Sequence, residues 1–227
     1  MDGLDGARIL SRSGWLSRQP GEFQRALLAL GDWREVSANT TINRAGDDIG
    51  GVWGIAAGQI DLTSALGAED SPIADIQMPG SWGGIGPLFG RQRGANATAP
   101  VPSLIFVVPQ ARLNRLLAEH PVWWRSMGEL AADLAFRYAG GLGDMLIGNA
   151  QKRCIAILTR LADCRREDPI LGLPVSIACS QERFASIANM SGSAVGEVLR
   201  ELRRRKLIDL GYRTITIIDA GGLRRLI

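Results

Sequence analysis

The chain has 227 residues, with 26 Lys/Arg against 23 Asp/Glu for a net charge of +3, and a single histidine. That length holds two small domains, and 46% apolar with 22% charged residues is the composition of a folded globular chain. No apolar run approaches the roughly 18–20 residues that cross a bilayer. One imidazole is too few for a β-roll metal oxygenase, which needs two or three to hold its metal.

In chain order, the N-terminus (Met1-Asp2-Gly3-Leu4-Asp5) lacks the basic start and apolar block of an export signal, which predicts a cytoplasmic protein. Cys154, Cys164 and Cys179 are then expected as reduced, buried thiols, since their spacing suits no metal. Residues 21–30 read as a short helix with Phe23, Leu27 and Leu28 on one side. From Trp33 to Val108 short β-type runs are broken by Gly, Pro and Asp, as in Val52-Trp53-Gly54-Ile55 and Ser103-Leu104-Ile105-Phe106, which indicates an antiparallel barrel or roll. A helix from Pro109 to Ala118 ends at His120-Pro121, where the histidine is expected to cap the next helix. A long helix over about 122–148 carries Met127, Leu130, Leu134, Tyr138, Leu142 and Met145 near heptad spacing, a stripe suited to pairing with a second copy. Gly140, Gly141 and Gly143 interrupt it, which implies close approach of a neighbour or local looseness. A further helix, residues 151–164, leads through a loop at 168–174 to the C-terminal segment.

That segment, residues 180–218, carries the most information. Ser180 and Gln181 open a short helix, Asn189-Met190 makes a turn, and Ser191-Gly192-Ser193-Ala194 opens a second helix that ends in Arg203-Arg204-Arg205-Lys206. Both serines stand where a hydroxyl accepts from an orphan helix N–H, and Asn189 tolerates the left-handed backbone of a tight turn. Phe184, Ile187, Val195, Val198, Leu199 and Leu202 recur at three- and four-residue spacing, and Gly196 suits close helix approach. Gly211-Tyr212-Arg213 is a hairpin tip before the strand-like Thr214-Ile215-Thr216-Ile217. Helix, turn, basic helix and hairpin in this order predict a winged helix-turn-helix. Its DNA contacts are expected from Ser180, Gln181, Ser191, Gly192, Ser193, Ala194, Glu197, Arg200 and the wing Arg213. From residue 151 onward there are 14 Lys/Arg against 8 Asp/Glu, so the excess positive charge lies in this part.

Over nearly its whole length the chain resembles the CRP/FNR family of bacterial transcription regulators. The matching residues are Arg44-Ala45-Gly46-Asp47, Gly58, Pro79-Gly80 through Gly84-Ile85-Gly86-Pro87-Leu88-Phe89, His120-Pro121 and Ser191 to Gly196. The resemblance implies an α+β fold with a β-roll sensor (1–120), a central dimerisation helix (121–150) and a winged helix-turn-helix (151–227). It implies a homodimer on a two-fold operator, with RNA polymerase as a further partner if the protein activates, and no membrane association. In family members that bind cyclic AMP, a Glu takes the ribose hydroxyl and an Arg the cyclic phosphate, while the central helix offers Thr-Ser to the adenine. Here Ile85 stands at the Glu position, Ala95-Asn96 fall at the Arg-Ser position, and Tyr138 falls where the Thr belongs. The effector pocket formed by Gly83, Gly84, Ile85, Ala95, Asn96 and Tyr138 is therefore read as degenerate, unless Arg91 or Arg93 supplies the missing charge. A regulator with another effector or none is expected, the alternative being a nucleotide-dependent activator with an altered cassette. An apolar pocket lined by Trp53, Trp82, Trp123 or Trp124 is a further option. No cofactor is expected: no cysteine precedes Cys154 for an iron–sulfur cluster, and His120 alone is available to haem. On the recognition helix Gly192, Ser193 and Glu197 replace the family's base-reading Arg, Glu and Arg, which predicts a different operator.

Overall fold

The computed structural model describes residues 3–48, 50–64 and 73–227. It divides into two compact units, one comprising residues up to 71 with 76–136, the other residues 72–75 with 137–227.

The first unit opens with three helices, α1 (Gly3–Arg12), α2 (Gly14–Ser17) and α3 (Gly21–Leu28). Eight strands follow: β1 (Asp32–Val36), β2 (Thr40–Asn43), β3 (Gly51–Ala57), β4 (Ile60–Ser64), β5 (Ile73–Gln77), β6 (Trp82–Gly83), β7 (Ala95–Ala99) and β8 (Ser103–Pro109). They form two four-stranded sheets, ordered β1-β8-β3-β6 and β2-β7-β4-β5, the roll expected from the short β-type runs. Along β3 the pleat sends Val52 to an outer core and Trp53 and Ile55 to the interior. The interior holds Val36, Trp53, Ile55, Ile60, Leu62, Ala97, Ala99 and Ile105. The outer core packs Trp82, Phe106 and Val108 against Leu10, Trp15, Leu16, Phe23 and Leu27 of the N-terminal helices. The two N-terminal helices before residue 21 were not foreseen, although α1 is amphipathic; its Gly3 and Gly6 lie against the Trp33 ring.

β3 and β6 meet through a reciprocal exchange, with Trp53 opposite Gly83 and Gly54 opposite Trp82. The two indoles thus leave on opposite faces, each over a residue with no side chain. A Cβ on Gly54 would lie 2.7 Å from the Trp82 ring, and one on Gly83 would lie 2.7 Å from that of Trp53.

After α4 (Gln110–Glu119), the long helix α5 (Trp124–Met145) is shared between the units, dividing after Phe136. His120 makes no side-chain cap; its ring lies over Trp123 with centroids 4.1 Å apart, so the expected capping role is replaced by stacking.

The second unit contains α6 (Ala150–Leu161), β9 (Val175–Ile177), α7 (Gln181–Ala188), α8 (Gly192–Arg204), β10 (Ile208–Gly211), β11 (Thr214–Ile217) and α9 (Ala220–Arg224). β9 adds a third strand beside the hairpin, in the order β10-β11-β9, and α9 closes the chain; neither was read from the sequence. Cys154, Cys164 and Cys179 are buried and free, and burial pushes the Cys154 and Cys164 thiols up to about 11, as expected of structural thiols. Arg160 of α6 lies at ordinary contact distance, 3.6 and 3.5 Å, from the Cβ positions of Gly140 and Gly141, while the Gly143 position is open. Its guanidinium donates to Asp144 at 2.7 Å and Asp75 at 2.8 Å, while Arg165 and Arg137 hold the remaining oxygens of these buried carboxylates.

Two stability effects follow from this packing. Gly54→Val forces the Trp82 ring aside and is expected to cost about 1–3 kcal/mol, read as a lower urea midpoint with an unchanged slope. Arg160→Met leaves Asp75 and Asp144 each short of a cation, with an expected loss of about 3–5 kcal/mol in the same measurement.

Candidate nucleic-acid interface and effector pocket

The helix-turn-helix is specified by local chemistry. Ser180 Oγ accepts from the Arg183 N–H at 3.2 Å, and Ser191 Oγ from the Ala194 N–H at 3.3 Å. Between the helices Asn189 adopts φ 49°, ψ 54°, the left-handed turn assigned to it. Phe184, Ile187, Val195, Leu199 and Leu202 are buried, fixing the outward face of α8. That face presents Ser193, Glu197, Arg200 and Arg204, a stripe of helical spacing, with Gly192 exposed at its start. Gly196 is covered by side chains rather than by a helix backbone: its Cβ position faces Arg200 Nη1 at 3.2 Å and Gln181 Oε1 at 3.5 Å. The expected close approach is therefore a path for Arg200 and Gln181.

The wing is the β10–β11 hairpin, with Gly211 paired to Thr214 and Tyr212-Arg213 at the tip. Arg213 has φ 51° and Tyr212 is 92% exposed. A cleft lined by Cys179, Ser180, Gln181 and residues 210–215 separates the tip from the start of α7. The basic end of α8 is less available than its count of cations suggests. Arg204 and Arg205 pair with Glu201, and Arg203 with Asp209 at 3.3 Å. Among the described residues Arg200 and Arg213 have no carboxylate partner, which leaves them for phosphates or bases.

In the roll, Gly83 lies on β6, Gly84 has φ 81°, and Ile85 leads into a 3-10 turn over Gly86–Phe89. Ile85 packs against the outer core, turned away from the roll interior. Ala95 packs against the interior cluster, and its carbonyl accepts from Asn43 Nδ2. Asn96 is occupied by the scaffold: Oδ1 accepts from the Ala45 N–H at 2.9 Å and Nδ2 donates to Thr63 Oγ1. Arg91 is exposed, whereas Arg93 turns inward and donates to the Gly51 carbonyl at 2.9 Å. Trp53 and Trp82 are core residues, Trp123 is half-buried and Trp124 is 40% exposed, so the four do not line one pocket. Tyr138 belongs to the other unit and is half-exposed.

The apolar stripe of α5 is divided. Met127 and Leu130 are 0% and 1% exposed within the outer core, and Leu134 packs against it, so these three already have partners in their own chain. Beyond Leu134 the exposed apolar side chains are Phe136, Tyr138 and Leu142, with Met145 half-buried and Leu146 exposed just past the helix end. Phe136 and Leu146 fall outside the heptad register that runs through Met127 and Leu130.

Two family models match the chain: a cyclic nucleotide-binding domain over residues 33–120 and a Crp-like helix-turn-helix domain over residues 152–226. A curated relative, the HTH-type transcriptional regulator Cmr of Mycobacterium tuberculosis, is 25% identical over 197 residues, covering 84% of this chain and 74% of the relative. Among solved structures, FixK2 of Bradyrhizobium japonicum is 14% identical with a TM-score of 0.70, over 86% of this chain and 96% of that one. A CRP-family transcriptional regulator from Thermus thermophilus is 21% identical with a TM-score of 0.59, over 85% and 95%. These structures share the fold. With both family models matched in the expected order on a roll and a winged helix-turn-helix, the chain belongs to the CRP/FNR family of transcription regulators.

Proposed function

We propose that the protein acts as a cytoplasmic homodimer on a two-fold DNA operator without needing a cyclic nucleotide. The observation that carries the DNA reading is the outward stripe of α8, Ser193, Glu197 and the unpaired Arg200, flanked by the unpaired wing Arg213. Ser193 and Glu197 can meet base edges, Glu197 by accepting from a cytosine amino group, while Arg200 and Arg213 meet phosphates. Ser180, Gln181, Ser191 and Ala194 contribute from the two helix starts, where backbone N–H groups also favour phosphate. In the dimer the exposed Phe136, Tyr138 and Leu142 of α5, with Leu146 just past its end, meet their copies, a use that accounts for four large apolar side chains in solvent. RNA polymerase is a partner if the protein activates.

Three features support independence from cyclic nucleotides. Ile85 offers no carboxylate to a ribose, Asn96 is committed to Ala45 and Thr63, and Trp53 fills the interior beside Gly83.

Fluorescence anisotropy on operators selected from a random pool tests this at fixed salt. Equal affinity with and without cyclic AMP or cyclic GMP is expected; binding only with a nucleotide would overturn the second half of the reading. Arg200→Ala is expected to weaken binding across sequences and to lower the slope of log K against log salt by about 1. Leu142→Glu places a charge in the proposed helix pair. Light scattering should then show a monomer, with operator binding reduced at least tenfold while the circular dichroism spectrum stays unchanged.

A further inference from the structure

Helix α8 carries a glycine in its interior, a position where almost any other residue would stabilise the helix. Gly196 is buried although Glu197 follows it and Arg200 lies one turn on, both exposed. What buries it is unusual for a helix glycine. The atoms nearest its Cβ position are side-chain tips: Arg200 Nη1 at 3.2 Å, Gln181 Oε1 at 3.5 Å and Arg200 Cζ at 3.9 Å. A methyl group there would press on the guanidinium, and two side chains from different helices now meet in its place.

Helix geometry and charge pairing together account for where Arg200 lies. Side chains of an α-helix tilt toward its N-terminus, so a long residue runs back over the position four before it, here Gly196. The nearby carboxylates are already taken. Glu201 pairs with Arg204 and with Arg205, the latter at 2.7 Å, and Asp209 pairs with Arg203 at 3.3 Å. Gln181, the first residue of α7, brings its carbonyl oxygen to the same spot and so has its amide N–H groups to spare. Among the described residues neither Arg200 nor Gln181 has a side-chain hydrogen bond or ion pair to the protein. One cation and one amide, both uncommitted, are thus gathered at a single point because residue 196 has no side chain.

We propose that Gly196 is a positioning residue, a seat that joins Arg200 of α8 and Gln181 of α7 into one clamp for a single operator phosphate. The proposal rests on the DNA reading above and deepens it. The guanidinium supplies the charge and a planar pair of N–H groups, and the Gln181 amide supplies a further donor from the other helix. Holding the guanidinium over Gly196 before DNA arrives removes part of the ordering cost that a free arginine side chain pays on binding. Filling the seat leaves the cation in place and only misaligns it, so binding falls while the fold does not weaken.

The test is a pair of double-mutant cycles on the full-length protein, with affinity for the pool-selected operator read by anisotropy at fixed salt. Arg200→Met is expected to bind about tenfold more weakly than wild type. Gly196→Ala and Gln181→Ala are each expected to bind about threefold more weakly. In the Arg200→Met background both of these further losses should vanish, because the group they position is gone. The thermal midpoint of Gly196→Ala should equal or exceed that of wild type, since alanine is the better helix former. Unchanged binding by Gly196→Ala, a loss that persists without Arg200, or a lowered midpoint overturns the proposal and returns the glycine to packing. Additive losses for Gln181 and Arg200 overturn the clamp independently of any change at residue 196. A wild-type protein that binds no selected duplex overturns the DNA reading and the clamp with it; binding without coupling overturns the clamp alone.

Discussion

The roll depends on the exchange between β3 and β6, in which each strand sets a tryptophan against the other's glycine. Antiparallel neighbours present directly opposed side chains to the same face, so Trp53 shares a face with Gly83 and Trp82 with Gly54. Offset by one residue, each ring lies on bare backbone and the pleat carries them to opposite sides. Trp82 then anchors the outer layer, touching Trp15 and Phe106 edge-on, while Trp53 fills the interior. The N-terminal helices have a surface to cover because Trp82 and Phe106 project toward them.

The same exchange bears on the sensing loop. With an indole against Gly83 and Gly84, the interior wall beside the cassette is solid. Polar groups that could have faced a ligand are used instead to tie strands together, Asn96 to Ala45 and Thr63, and Asn43 to Ala95. Arg93 of the same loop is buried and donates to the Gly51 carbonyl, while Arg91 is exposed.

The second unit follows a different logic, because its functional surface is built from short-range contacts. Caps from Ser180 and Ser191 and the left-handed Asn189 set the angle of α8 before long-range packing is considered. Arg160, Asp75 and Asp144 act at longer range, where two buried carboxylates are tolerable because each is met by two arginines. Pairing of Arg203, Arg204 and Arg205 with acidic neighbours moves the free positive charge from the end of α8 to Arg200 and the wing Arg213.

What could be read along the chain was whatever is decided within a few residues. The caps, the turn at Asn189, the hairpin tip at Tyr212-Arg213 and the short β-type runs of the roll are all local, and the amino-acid sequence determined them. Partnership across the fold was not legible. Met127 and Leu130 satisfy a heptad as well as Leu142 does, yet the first two are buried in their own chain and only the third is exposed. Arg91 and Arg93 are alike in sequence, and only the Gly50–Gly51 backbone distinguishes the buried one. Strand β9 has only three residues, too few to show a pattern, and it is completed by β11. Periodicity reports that a side chain prefers burial; which surface buries it is set by residues far away in the chain, and only the tertiary structure decided that.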